Sequence, residues 1–88
     1  MLERDIQKKV IIELEKNGYY VVKLEKTNKN GIPDLLALKN EKAIFFEIKT
    51  EKTKANPLQE YRMKEITDRT GCKCHLVRSL DQFKELGL

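Results

Sequence analysis

The first segment of the chain has the hydrophobic period of a helix. Ile6, Val10 and Leu14 recur every four residues, which places them on one face of a helix with about 100° between successive residues. The pattern predicts a helix over about residues 2–17. Gly18 would end it, because glycine adopts a left-handed backbone without steric cost.

The middle of the chain contains three runs typical of β-strands. Residues 19–24, "YYVVKL", are rich in β-branched and aromatic side chains. A polar, basic loop follows over residues 25–31. Two apolar runs at 32–38 and 43–50 then flank the polar segment 39–42 and predict a hairpin.

The rest of the chain predicts a helix, a strand and a short helix. Asn56 followed by Pro57 is a preferred N-cap and first helical residue, so a helix should begin there and end near residue 69. Residues 72–77, "CKCHLV", favour a fourth strand, and residues 80–86 a final helix. The order α-β-β-β-α-β-α, with one strand–helix–strand crossover, predicts an α/β (α+β) fold in which helices pack on a mixed sheet.

Length and charge narrow the class of protein. At 88 residues we expect one domain, without an appended DNA-binding domain. A net charge of +4, with 36% of residues charged, suits a polyanionic partner such as nucleic acid but does not require one. No apolar run approaches the roughly 20 residues that cross a bilayer, and the charged start is unlike a signal peptide. We therefore expect a cytoplasmic protein.

Cys72, Cys74 and His75 raise the question of a zinc site. Structural zinc normally has four ligands with two to four residues between paired cysteines, and these three residues are the only cysteines and histidine in the chain. We expect reduced cysteines that pack as small apolar groups, and a structural histidine.

Counting across the hairpin brings two acids together. If the turn is centred between Asn40 and Glu41, Asp34 lies directly opposite Glu47, with the two Cβ atoms about 5 Å apart. Lys49 lies on the same face, two residues further along the strand. A solvated surface ion pair between Glu47 and Lys49 is the simpler explanation of the acid and base on this strand.

The facing acids favour a metal site over the surface pair. Two carboxylates 4 Å apart repel by about 1 kcal/mol in water and about 4 kcal/mol at the effective dielectric of a protein surface. A hard divalent cation such as Mg²⁺, which prefers oxygen ligands, removes this repulsion. We therefore predict that Asp34, Glu47 and the backbone carbonyl of Ile48 hold a metal. Lys49 could then orient a water or stabilise charge that develops on a phosphate.

Glu3 lies within the core-facing stripe of the first helix, where a carboxylate needs a partner or a solvated cleft. It could supply a third oxygen ligand, directly or through water. The alternative is a frayed N-terminal glutamate stabilised by the helix dipole.

The alternation along residues 43–50 also predicts which side chains face the core. Ile44, Phe46 and Ile48 should face the hydrophobic core, because they alternate with the functional face. Phe45 shares that functional face with Glu47, and we expect a helix to cover it.

At this point the residues match a known family. The stretches "GIPD", "FFEIKT" and "NPLQEYR", with "ERDIQKKV" upstream, resemble the virus-type replication-repair nuclease (VRR-NUC) domain of the PD-(D/E)XK nuclease superfamily. The resemblance covers roughly residues 3–71. The superfamily signature maps to Pro33, Asp34, Glu47, Ile48 and Lys49, and the branch-specific positions map to Glu3, Gly31 and Gln59.

The resemblance implies a restriction-endonuclease-like αβββαβ core, and we take residues 1–88 as one such nuclease domain. It implies a Mg²⁺- or Mn²⁺-dependent DNA endonuclease that leaves 5′-phosphate products, with one metal or two left open. Asp34, Glu47, Lys49 and Gln59 would be catalytic, and Glu3, Asp34, Glu47 and the Ile48 carbonyl would hold the metal.

Similarity to stand-alone members, which look like Holliday-junction resolvases, further implies a homodimer that acts on branched DNA, with no small-molecule cofactor. A catalytically silent nucleic-acid-binding module and an RNA-directed nuclease remain the alternatives.

Several polar residues near the predicted site keep two interpretations. Gln59 could form a capping box with Asn56 or face the site, where it would orient Lys49 or the water. Solvated lysines explain the basic loops as well as phosphate contacts do, and Arg62 could instead pair with an acid. The candidate nucleic-acid contacts are five basic residues: Lys26, Lys29, Lys52, Lys54 and Arg62.

Overall fold

The computed structural model describes residues 1–88 and contains every element that the sequence pattern predicts. The elements are α1 (Glu3–Lys16), β1 (Tyr20–Lys23), β2 (Leu35–Lys39), β3 (Lys42–Ile48), α2 (Pro57–Thr70), β4 (Lys73–Val77) and α3 (Leu80–Glu85). The largest difference is at the start of β2, which begins three residues later than predicted. Pro33 has no N–H to donate to a sheet ladder, so regular pairing starts after it.

The four strands form one mixed sheet in the order β1-β2-β3-β4. The first three strands are antiparallel, and β3 pairs with β4 in parallel. The β2–β3 register runs from Leu35 opposite Phe46 to Lys39 opposite Lys42, as the count across the hairpin predicted. Asn40 and Glu41 close the turn with φ values of 50° and 66°, the backbone of a two-residue type I′ hairpin.

One face of the sheet, covered by α1 and α3, holds the hydrophobic core. We call it the inner face. Ile44, Phe46 and Ile48 point into it, as predicted, and the Phe46 ring packs 5.6 Å from the Phe83 ring and 5.7 Å from the His75 ring. The core contains ten buried apolar side chains: Ile6, Val10, Leu14, Leu35, Ala37, Ile44, Phe46, Ile48, Val77 and Phe83.

The opposite, outer face is only partly covered. Helix α2 packs on it beside β4, yet none of its residues is buried. Phe45 is half-buried on this face. Over β1 and β2 no helix covers the sheet, so Tyr20 is 71% exposed and Leu38 is 38% exposed.

Cys72 and Cys74 are free, half-buried thiols, and no group of three or more metal-binding side chains surrounds them. No helix combines the length and the apolar character that crossing a membrane requires.

Candidate active site

Asp34 is fixed at the junction of three strands, directly before β2. Its backbone carbonyl accepts a hydrogen bond from the Leu24 N–H at 2.8 Å, which extends the pairing with β1. Its carboxylate Oδ2 accepts the Ile48 N–H, also at 2.8 Å. The side chain thus takes a position on β3 that a backbone carbonyl would otherwise occupy. This bond holds the carboxylate beside Glu47.

Glu47 is the one buried charged residue of the chain, with 1% of its surface exposed. Its Oε2 accepts a hydrogen bond from Gln59 Nε2 at 3.1 Å and lies 3.4 Å from Lys49 Nζ. Its Oε1 is buried and has no partner. A buried carboxylate oxygen without a partner is costly, so this atom indicates a position where a ligand would be favourable.

The electrostatic environment of Glu47 follows from the same geometry. Burial, and then the neighbouring charge of Asp34, raise the pKa of Glu47 to about 7, although Lys49 opposes the rise. The charge of Glu3 adds a smaller increase. The repulsion between facing acids that the hairpin count predicted is therefore present, and it weakens ionisation of the carboxyl in the absence of a cation.

Glu3 acts on Glu47 more weakly than Asp34 does. It is half-buried at the start of α1, and its charge has the smallest of the effects on Glu47. No three His, Cys, Asp or Glu side chains lie close enough together to hold one ion. The acids that the structure assembles are therefore the pair Asp34 and Glu47, because the hairpin fixes them, whereas Glu3 depends on how α1 packs against the sheet.

Gln59 forms the predicted capping box and also faces the site, where it contacts Glu47 rather than Lys49. Its Oε1 accepts the Asn56 N–H at 3.1 Å, and Asn56 Oδ1 accepts the Gln59 N–H at 2.8 Å, which completes a capping box. The other end of the same amide, Nε2, donates to Glu47. The first turn of α2 is therefore bonded directly to the buried carboxylate.

A second contact fixes α2 against the loop before Asp34. Arg62 donates from Nε to the Asn30 carbonyl at 2.8 Å, and its Nη1 lies 3.1 Å from Glu65. Gly31 has a φ of +81°, and a Cβ there would lie 2.7 Å from Leu58 Cγ and 3.1 Å from the Leu58 carbonyl oxygen. Of the two roles predicted for Arg62, the structure therefore contains the ion pair with an acid.

The four candidate basic residues of the loops lie at the end of the sheet that carries the acids. Lys26 and Lys29 precede Asp34, and Lys52 and Lys54 follow Lys49. All four are exposed and none forms a salt bridge. Their contact with nucleic acid stays a prediction.

Arg78 is a residue near the site that the sequence pattern did not indicate. Its Nη1 donates to the carbonyl of Thr50 at 2.6 Å and to that of Thr53. The side chain therefore holds the loop that follows Lys49. A single arginine after a strand is not distinctive in sequence, since its partners are carbonyls almost thirty residues away.

The comparisons with known proteins agree with this geometry. A family model described as archaeal Holliday junction resolvase (Hjc) matches residues 2–72. The chain belongs to this family. A solved structure described as a VRR_NUC domain is 32% identical to this Hjc-family chain and superposes with a TM-score of 0.85, covering 96% of this chain and 91% of the other. No curated protein sequence matches.

Membership of the Hjc family confirms the predicted relation to PD-(D/E)XK nucleases and the restriction-endonuclease-like fold. The donor set of this Hjc-family site also fits a hard divalent cation. Two carboxylates face each other, and one buried oxygen of Glu47 has no partner.

Proposed function

We propose that the protein is a divalent-metal-dependent endonuclease that hydrolyses phosphodiester bonds in branched DNA. The buried Glu47 carboxylate carries this proposal, because its Oε1 has no partner while Asp34 and Lys49 flank it. A surface ion pair would be solvated. This one is almost completely excluded from water, and a helix-borne glutamine holds it in place.

Asp34, Glu47 and the backbone carbonyl of Ile48 would hold Mg²⁺, for which Mn²⁺ could substitute. Glu3 would contribute through water, because its side chain is not clustered with the other two. When bound, the metal would polarise the scissile phosphate and lower the pKa of a bound water.

Lys49 acts on the attacking water and the phosphate, and Gln59 orients Glu47. The Lys49 ammonium, 3.4 Å from Glu47, supplies a localised positive charge that can orient the attacking water and stabilise the negative charge developing on the phosphate. Gln59 keeps Glu47 oriented by donating to Oε2, which leaves Oε1 without a partner and able to bind a metal.

Branched DNA and a homodimer form the substrate and assembly part of the proposal. The family name supports a four-way junction as substrate, and two-fold junctions suit a two-fold dimer that presents two sites. The uncovered outer face of β1 and β2, with Tyr20 and Leu38 exposed, offers an apolar surface for a second copy.

Nuclease assays test the chemistry. Junction, flap, duplex and single-stranded DNA, and single-stranded RNA, are incubated with Mg²⁺, with Mn²⁺ or with chelator. We expect junction cleavage that needs metal and falls at least about 100-fold in Glu47→Gln and in Lys49→Ala. Lys23→Ala, at an exposed lysine of β1, is the matched control and should retain activity.

Three results would contradict parts of the proposal. Equal activity in Glu47→Gln, Lys49→Ala and wild type would remove these residues from the site. Cleavage of RNA alone would indicate an RNA-directed nuclease. Salt-dependent DNA binding that chelator does not affect, with no cleavage of any substrate, would indicate a binding module.

A further inference from the structure

A cleft of about 630 Å³ opens at the carboxyl ends of the parallel strands β3 and β4. It lies between α1, the loop after β3 and the start of α3, and its ten lining residues include three cations: Lys9, Lys52 and Arg78. This volume is in the range of ligand-binding clefts. The carboxyl ends of parallel strands are also where open α/β sheets place their ligands.

The cations of the cleft have no acidic partner. Glu51 and Asp81 also line the cleft, yet the three salt bridges of the chain involve none of these five residues. No acid is in direct contact with the three cations, and three cations against two acids leave the lining with a net positive charge that favours an anion.

One side of the cleft is held in place by hydrogen bonds. Arg78 Nη1 donates to the carbonyls of Thr50 and Thr53, and the two threonine hydroxyls lie 2.6 Å apart. Lys52 lies between these threonines, so its backbone is fixed at the cleft. The other N–H groups of the Arg78 guanidinium make no hydrogen bond within the chain and remain available to a ligand.

Residues on two sides of the cleft are close in sequence to residues of the candidate active site. Thr50 directly follows Lys49 on one side, and Met1 and Ile6 of the lining flank Glu3 on the other. A nucleic-acid strand whose scissile phosphate lies at Glu47 would therefore have its neighbouring phosphates within reach of this cleft.

We propose that this cleft binds the sugar–phosphate backbone of the DNA strand next to the scissile phosphate, with Lys9 and Lys52 as phosphate contacts and Arg78 as the residue that positions Lys52. The assignment of the occupant rests on the nuclease function proposed above. Contacts of this kind add affinity and register without reading sequence.

The test compares two double variants that each remove two positive charges. Lys9→Gln/Lys52→Gln neutralises the cleft. Lys8→Gln/Lys84→Gln neutralises exposed lysines that do not line it, and Lys8 is adjacent to Lys9 on the same helix. Binding of a fluorescent junction is measured by anisotropy with chelator over a series of salt concentrations. Junction cleavage with Mg²⁺ is measured at saturating protein.

We expect the cleft variant to bind about tenfold more weakly at 100 mM salt, with the slope of log K against log salt lower by nearly 2, because each lost phosphate contact accounts for about 0.9 of slope. The control pair should change the slope by less than about 0.5. Single-turnover cleavage at saturating protein should be close to wild type in the control pair.

Equal losses in the two variants, or no loss in either, would overturn the cleft proposal. If wild type cleaves DNA while the cleft pair behaves like its control, the cleft proposal alone fails. If wild type cleaves no DNA but its binding depends on the cleft pair, the nuclease proposal alone fails.

Discussion

The two faces of the sheet differ in what they bury. The inner face, under α1 and α3, holds all ten buried apolar side chains of the core. On the outer face α2 contributes no buried residue, and the buried polar residue is the acid Glu47. The inner face therefore supplies most of the hydrophobic stabilisation, while the outer face carries the candidate site.

This division has a physical reason. Glu47 is already almost completely buried, so a tightly packed α2 would leave metal and substrate no access to it. Instead, the helix is held by polar contacts at its first turns, from Gln59 to Glu47 and from Arg62 to the Asn30 carbonyl. Local loss of stability at a functional surface is common, because a site needs partners that the free protein does not satisfy.

The largest expected effect is a difference in the free energy of unfolding between substitutions on the two faces. Leu14→Ala, in the inner face, should lower the free energy of unfolding by about 3 kcal/mol, because it leaves a cavity in a fully buried position. Met63→Ala, on the half-buried side of α2, should cost less than about 1 kcal/mol. Urea unfolding of both variants measures the difference. Equal losses would show that the two faces stabilise the fold alike.

A second prediction uses the pH dependence of stability to measure how much the ionised carboxylate of Glu47 destabilises the fold. Glu47 has a pKa of about 7 in the folded protein, against 4.5 as the ordinary value. A raised carboxyl pKa means that the folded state binds the proton more tightly than the unfolded state does. The stabilisation that comes from this proton is therefore complete below pH 4.5 and is lost as pH rises through 7. For a shift of this size the loss is roughly 3 kcal/mol at pH 8.

Glu47→Gln should remove that loss. In the presence of chelator, the variant should be more stable than wild type at pH 8 and similar to it at pH 4, and the difference between the two proteins cancels groups that titrate elsewhere. Added Mg²⁺ should raise the melting temperature of wild type but not of the variant. A difference between the proteins that does not change with pH would show that the acid carries no such cost.

The smallest expected effect concerns the contact between α2 and the loop before Asp34. Gly31→Ala and Gly71→Ala both place a side chain at a positive φ, +81° and +77°. Only at Gly31 would the new Cβ meet other atoms, those of Leu58 and Arg62. We expect Gly31→Ala to cost about 1 kcal/mol more than its control, because a collision adds to the shared backbone strain.

Nuclease activity gives the second measurement for this pair. Gly31→Ala should also slow cleavage, since the loop leads directly into Asp34, whereas Gly71→Ala should not. Equal costs and equal activities would show that the close approach at Gly31 has no role in positioning the acid.

The parts of the site that were predictable from sequence are the local ones. Strand period and turn length predicted Asp34 opposite Glu47, next to the observed pair Leu35 and Phe46, and both are read from a segment of the chain less than twenty residues long. The capping role of Gln59 was local as well. That its Nε2 also reaches Glu47 depends on where α2 docks, which no period in the sequence encodes.

The weak effect of Glu3 on Glu47 and the hydrogen bonds of Arg78 have the same origin. Each depends on how two elements far apart in sequence pack against each other. The hydrophobic pattern identified the buried faces of these elements, but it did not determine the angles at which they meet.

The two-residue turn at Asn40 and Glu41 makes the number of residues in the hairpin a determinant of the candidate site. Inserting one residue there would shift the register of β3 by one, and Glu47 would exchange faces with its neighbours while every side chain of the site remained in the sequence. Substitutions in this turn should be tolerated far better than single-residue insertions or deletions. In related chains, a change of length at this position would separate the two acids more completely than most point mutations of the site.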